Sequence, residues 1–283
     1  MKKLIHNHPK RIFTFGCSFT GYLWGTWANI LGTEFPDAEF RNFGRSGAGN
    51  QYIHNMIMQA DNVYNFDHND LVIVQWTNVC REDRYLPEKD GWLVPGNIYS
   101  QSEYSQDFSE YGAYVRDFAL IKSAHQLLKH RTQHHMIQML DFQFPNQWNL
   151  EPNVELKLKT LIELYNESID PILPSIYQTL WANNLEAKFV KDRKIVDKRF
   201  QDGHPTPIEH YDYLKQIFKH EWKDETDRIV GEAQTKWVKL MKSAVNSQTD
   251  GFSLYEMKKR WLDMLTYETV MRQSDQINPL IHH

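Results

Sequence analysis

The apolar positions of the chain fall into two patterns, short unbroken runs and stripes at helical spacing. Residues 11–15 form an apolar run that stops at Gly16 and reads as a buried first strand. Residues 24–31 follow with a helical pattern. Residues 39–43 read as a second strand that enters a glycine-rich turn over 44–50. Ile53, Ile57 and Ala60 then mark one face of a helix over 51–64. The run over 70–76 is the clearest strand, and its lack of polar alternation fits a central parallel strand covered on both faces. It ends at Thr77 and Asn78. No period emerges over 81–109, which carries Pro87, Gly91, Pro95 and Gly96 and is predicted to be an ordered insertion or lid.

Helical spacing returns at Tyr111, Tyr114, Val115, Phe118 and Ile121, reaching about residue 129. Residues 133–140 read as a fourth strand. Val154, Leu158, Leu161, Ile162 and Tyr165 mark a helix, and Pro171 and Pro174 open or interrupt another that reaches Trp181. Residues 187–190 read as a weak fifth strand. Thr206, Pro207 and Glu209 then spell an N-cap, a first-turn proline and a capping box, ahead of a stripe of Ile208, Tyr211, Leu214, Ile217 and Phe218. His204 therefore lies in the loop just before a helix. Beyond residue 222 only helical stripes remain, one through Trp237, Leu240 and Met241 and one after a Ser253/Glu256 capping box. The pattern predicts an α/β domain over 1–222, a flavodoxin-like three-layer α/β/α fold with a central parallel sheet of about five strands. An α-helical extension over 223–283 would pack on that domain or on a second copy, giving a homo-oligomer.

The composition narrows the function. Hydrophobic residues make up 41% of the 283 positions, enough for a substantial core, and a mean hydropathy of −0.62 goes with a well-solvated surface. A formal charge of −4 gives no basic excess to favour nucleic acid. No apolar run is long enough for a membrane span, and no secretory signal is visible at the N-terminus, so a cytoplasmic or virion-associated protein is expected. Cys17 and Cys80 alone make no disulfide framework. His134 and His135 are adjacent in a strand and face opposite ways, and His125 and His130 lack a third ligand, so no metal site is expected. The glycines of 44–50 do not follow the dinucleotide order and no Walker lysine follows them, so no nucleotide cofactor is expected either.

In a parallel sheet the strand carboxyl ends share one edge, where open α/β folds place their sites. Ser18, the 44–50 turn, Asn78 and the Asp202/His204 pair are all predicted to lie there. Serine becomes a nucleophile when a base takes its proton, histidine suits that task, and a carboxylate on the other ring nitrogen fixes its tautomer. Each piece also has a plain structural reading, since Ser, Asn, Asp and Gly are ordinary turn residues.

Taken together, the residues resemble the SGNH (GDSL-like) hydrolase family. Gly16, Cys17 and Ser18 look like its first block, Asn42 to Gly47 like its second, Trp76 to Asn78 like its third, and Asp202, Gly203, His204 and Pro205 like its last. The resemblance implies Ser18 as nucleophile, His204 as base and Asp202 as its carboxylate partner. It also implies an oxyanion hole from Ser18 N–H, Gly47 N–H and the Asn78 amide. Two departures stand out. Trp76 occupies the place of a glycine before Asn78 and is expected to wall the pocket, and only Gly203 separates Asp202 from His204 where the family has two residues. Arg81 and Arg84 are either solvated surface or contacts to an acidic or sugar substrate. Two functions fit: a serine esterase cleaving a small acyl ester, with a carbohydrate O-acetyl group as first choice, or a catalytically impaired module that binds a glycan or a protein partner.

Overall fold

The computed structural model describes residues 1–86, 91–98, 108–142, 152–182, 184–195, 202–246 and 271. Four parallel strands form the central sheet: β2 (Arg11–Gly16), β3 (Glu39–Gly44), β4 (Asp70–Trp76) and β7 (Gln133–Gln138), in the order β3-β2-β4-β7. All seven residues of β4 are buried, as a strand with both faces covered requires. Two short pairings lie outside this sheet. One joins β1 (Lys2–Lys3) to β8 (Phe218–Lys219), and the other is an antiparallel hairpin of β5 (Arg84–Leu86) and β6 (Gly91–Leu93).

Nine helices are described: α1 (Trp27–Glu34), α2 (Asn50–Tyr64), α3 (Glu110–Leu128), α4 (Pro152–Leu164), α5 (Asn166–Ile169), α6 (Ile176–Trp181), α7 (Leu185–Ile195), α8 (Pro207–Ile217) and α9 (Asp224–Asn246). The chain steps from β2 outward to β3, then returns past β2 to β4. Right-handed crossovers therefore put α1 and α2 on opposite faces of the sheet. The packing agrees: α2 lies against α3 on one side, while α1, α8 and α9 pack together on the other. The core between these layers is built on Ile12, Phe13 and Phe15 of β2, residues 71–74 of β4, and Met136 and Ile137 of β7. At the amino ends of the strands, Arg11 clasps the fully buried Asp70 through two hydrogen bonds of 2.6 and 2.7 Å, so the carboxylate does not go into the core unpaired.

Among the described residues the sheet has four strands rather than five. Residues 187–190, predicted as the fifth, belong to α7. Asn184 Oδ1 accepts from the Glu186 and Ala187 N–H groups at the start of that helix. Among its described side chains the buried ones are Lys188 and Asp192, which pair with each other one turn apart. An ionic inward face hides the helical period from a hydrophobic pattern, and what remains of it looks like a short apolar run. A second difference lies after Ser18. The helix predicted from residue 24 begins at Trp27, so the serine stands nine residues before it, on a turn closed by Thr20 and Gly21 N–H groups on Cys17 O. The insertion over 81–109 contains the β5–β6 hairpin in its described part. The capping box predicted at Ser253 and Glu256 falls outside the described residues.

Candidate active site

β2 and β4 are the strands between which the chain reverses direction, and the crevice at their carboxyl ends is where such sheets bind ligands. Ser18 follows β2 and Asn78 follows β4. Two hydrogen bonds fasten the serine turn to its neighbours, Thr20 Oγ1 to Gln75 Oε1 at 2.6 Å and Asn42 Nδ2 to Thr20 O at 2.9 Å. The backbones of Gly21 and Gly44 touch directly. A Cβ on Gly21 would stand 2.4 Å from Gly44 O, so a side chain there would push the serine turn away from the loop after β3.

His204 arrives on the loop before α8. Its Nε2 lies 2.8 Å from Ser18 Oγ and its Nδ1 2.6 Å from Asp202 Oδ1. Asp202 Oδ1 also accepts the His204 backbone N–H at 2.7 Å. The single intervening residue, Gly203, thus lets one carboxylate oxygen meet both the ring and the main chain of His204. With Nδ1 against a carboxylate, the neutral ring carries its proton there, and Nε2 is left to accept the Ser18 hydroxyl proton. Burial alone would raise the Asp202 pKa. The hydrogen bond from the His204 ring, the charge of that ring, the His204 N–H and the Tyr22 hydroxyl outweigh it and hold the carboxyl below its ordinary value.

The loop before His204 and the helix after it are anchored at several points. Thr206 and Glu209 form the reciprocal capping box at the start of α8, with Thr206 N–H on Glu209 Oε2 at 2.9 Å. Glu209 Oε2 is also paired at 3.2 Å with Lys188 Nζ, which is fully buried and reaches Asp192 at 2.9 Å. On the other side, Trp24 Nε1 donates to Pro205 O at 2.8 Å. Trp24 in turn packs edge to face on Trp237 of α9, with ring centres 6.0 Å apart. The helix beyond residue 222 thus backs the histidine loop.

Gly47 has φ +85°, and a Cβ there would sit 2.5 Å from Val94 O, so both the backbone angle and the neighbouring insertion require glycine. Neither Gly47 N–H nor Ser18 N–H donates to another described residue. Asn78 Oδ1 accepts the Cys80 N–H, and its Nδ2 has no acceptor among the described residues. Three donors are thus left open on the turns after β2, β3 and β4. The Asn50 side chain joins the second and third of these turns, accepting Thr77 N–H at 2.8 Å and donating to Thr77 O at 3.0 Å. Asp83 caps α2 by accepting the Gly49 and Tyr52 N–H groups, both at 2.8 Å.

The three residues expected to touch substrate are placed differently from one another. Trp76 is wholly enclosed in the core and presents no surface to a ligand, because it belongs to the doubly covered strand β4. Arg84 lies on the exposed hairpin, 3.5 Å from Glu82. Arg81 is half-buried beside the Gly47 loop and donates to Ala48 O at 2.8 Å. Two functional neighbours were not legible in the chain. Tyr22 and Asp83 carry no motif, and both act across gaps that only the fold closes. Among the described residues no group of three or more His, Cys, Asp or Glu could hold a metal ion, and no helix is long and apolar enough to cross a membrane.

No family model matches the sequence, and no curated protein matches it either. Among solved structures, the chain is similar to a member of the lipolytic G-D-S-L family from Veillonella parvula, with 17% identity over 72% of this chain and 96% of that one and a TM-score of 0.36. It is similar to a GDSL-like lipase from Bacteroides thetaiotaomicron, with 17% identity over 79% and 89% of the two chains and a TM-score of 0.38. It is also similar to an acetylxylan esterase from Geobacillus stearothermophilus, with 12% identity over 77% and 98% and a TM-score of 0.38.

Proposed function

We propose that the protein is a serine esterase that hydrolyses a small acyl ester through an acyl-enzyme on Ser18. The observation that carries this reading is the unbroken line of hydrogen bonds from Ser18 Oγ through the His204 ring to Asp202, at 2.8 and 2.6 Å. Those distances are within the reach a nucleophile, its base and the base's orienting group need.

The steps follow from the atoms present. Nε2 of His204 takes the hydroxyl proton as Ser18 Oγ bonds to the acyl carbon. The carbonyl oxygen becomes an anion and is met by the Ser18 and Gly47 N–H groups and by Asn78 Nδ2. The imidazolium is steadied by Asp202 and passes its proton to the departing alcohol oxygen as the ester C–O bond breaks. Water then attacks the acyl-enzyme with His204 again as base, releasing the acid and restoring the serine. The substrate we favour is an O-acetyl group on a carbohydrate, with Arg81 as the group beside the oxyanion loop that would touch the sugar or an acidic substituent on it. No metal or cofactor enters any step. In the other reading the protein binds a glycan and has lost catalysis. The short Ser18–His204 contact favours the enzyme, because a binding module has no need to keep it.

Turnover of p-nitrophenyl acetate and labelling by a fluorophosphonate probe test the proposal. Wild type is expected to turn over and to label at Ser18, and Ser18→Ala to do neither while keeping its circular dichroism and melting temperature. Appreciable turnover in that variant would end the serine proposal.

A further inference from the structure

Tyr22 makes two contacts with the residues that carry the proton. Its ring lies flat on the His204 imidazole, with centroids 3.7 Å apart and planes 14° from parallel. Its hydroxyl donates to Asp202 Oδ2 at 2.9 Å, the carboxylate oxygen that His204 does not use. Phe19 also packs against the imidazole, with ring centroids 5.1 Å apart and planes tilted by 43°. Tyr22 is itself held from behind by Trp24, edge to face at 4.6 Å.

Resting on the serine esterase reading, we propose that Tyr22 is a positioning residue: it clamps His204 and Asp202 so that Nε2 stays on Ser18 and Nδ1 stays on Oδ1 while the proton moves. Two rotations would spoil the relay. The imidazole could turn about its χ2, taking Nε2 off the serine, and the carboxylate could turn about its own, presenting Oδ2 to the ring or to water. The stacked ring blocks the first and the phenol hydrogen bond blocks the second. This chain has particular need of the second. With one residue between Asp202 and His204, Oδ1 is already shared between the ring and the His204 N–H, and among the described residues the group that holds Oδ2 is the Tyr22 hydroxyl. A tyrosine that merely filled space would not aim its hydroxyl there. The electron-rich ring face also favours the positive charge that develops on the imidazole. Burial and the neighbouring Asp202 charge push the Tyr22 phenol far above its ordinary range, so it remains a proton donor throughout any working pH.

The test compares Tyr22→Phe, which keeps the stack and removes the hydroxyl, with Tyr22→Leu, which removes both. On p-nitrophenyl acetate, Tyr22→Phe is expected to lose roughly tenfold in kcat and Tyr22→Leu about 10²-fold, each with KM within about twofold of wild type. The titratable groups around the carboxylate are His204, Tyr22 and Tyr177, whose hydroxyl reaches Gly203 O, with His210 near enough to His204 to feel its charge. Of these, Tyr22→Phe removes only one of the donors to Asp202 and leaves a carboxylate that holds the protonated ring more strongly, so the acid limb of kcat/KM is expected to move to higher pH. A second readout does not depend on turnover. In Ser18→Ala the His204 Nδ1 proton should give a slowly exchanging, strongly downfield NMR signal that adding Tyr22→Leu broadens away. An unmoved acid limb in Tyr22→Phe, or wild-type kcat and an intact ring-proton signal on losing the Tyr22 ring, would overturn the clamp. Failure of the esterase reading looks different: wild type itself neither turns over nor labels, and the ring-proton signal still decides the clamp.

Discussion

The indole Nε1 of Trp24 donates a 2.8 Å hydrogen bond to the carbonyl of Pro205, the residue directly after His204. Both groups are buried, so neither could turn to water if the other were lost. Trp24→Phe would keep an aromatic ring against Trp237 and Tyr22 but orphan the Pro205 carbonyl. An unsatisfied buried acceptor costs about 1–3 kcal/mol, and a loosened histidine loop should lower kcat severalfold as well. The check is a denaturant melt alongside kcat. Unchanged stability and unchanged turnover would mean that the bond holds nothing.

Asn78 separates the oxyanion role from a plain turn role. Its Oδ1 holds the Cys80 N–H, and its Nδ2 is open. Asn78→Asp keeps an acceptor for Cys80 but replaces the donor with a negative charge. Asn78→Ala removes both. The loss of one oxyanion donor commonly lowers kcat about 10²–10³-fold. Both variants are expected in or beyond that range with little change in KM, and Asp should be no better than Ala. If the Asp variant retained most of its turnover on p-nitrophenyl acetate, the side chain would be serving the turn alone.

How much of this was legible follows from how far each signal reaches along the chain. The central strand β4 announces itself because a doubly covered strand reads as a nearly continuous apolar run, whereas the edge strands β3 and β7 carry polar residues and show a weaker signal. The α8 capping box is legible because Thr206, Pro207 and Glu209 act within one turn. Ser18 and Asn78 could be picked out because strand ends share an edge whatever the sequence between them, and His204 because residues 202–205 resemble a family block just ahead of a capped helix. Trp76, expected as a pocket wall, lies in the core, because a tryptophan at a strand end suits either place equally. Tyr22 and Asp83 were invisible for a different reason. Tyr22 meets Asp202 across 180 residues and Asp83 meets Gly49 across 34, and nothing local marks either pairing. The helix over Leu185–Ile195 was misread because its inward face is ionic.

Asp117 gives a pH dependence with a defined sign. It is fully buried, donates nothing when ionised, and accepts from Arg116 Nε at 2.7 Å and Asn50 Nδ2 at 2.8 Å. Burial is the largest influence. Against the opposing Arg116 charge and these hydrogen bonds, and with Asp83 nearby, it lifts the carboxyl from 3.8 to about 6. Between those values the folded protein binds more protons than the unfolded chain. The contribution of this group is therefore full below about pH 4 and is lost as pH rises through about 6. Asp117→Asn removes the titration while leaving an oxygen for Asn50. In urea melts from pH 4 to 7 the variant should gain on wild type as pH rises, by an amount on the order of 2–3 kcal/mol. A constant gap across that window would show that the carboxyl is not perturbed in this way.

Lys188 ties the helix after His204 to its neighbour through buried charge. Its ammonium is fully buried between Asp192 at 2.9 Å and Glu209 at 3.2 Å. Burial would push the Glu209 carboxyl up, but the Lys188 charge, the Thr206 N–H, the Lys191 charge and the Lys188 hydrogen bond together hold it below its ordinary value. Lys188→Met matches the length of the side chain and leaves two carboxylates facing each other without their cation. Breaking a buried pair by removing one partner costs about 3–5 kcal/mol, whereas Lys191→Ala, at a half-exposed cation, should cost about 0–1 kcal/mol. The triple variant Lys188→Met, Asp192→Leu, Glu209→Gln restores apolar or neutral partners. It should recover much of the loss, since the penalty comes from stranded charge and not from the absence of a bond. Guanidinium melts of the three variants decide it. A Lys188→Met protein as stable as wild type would mean that water reaches these carboxylates and that the helix carrying the His204 loop is not held by charge at all.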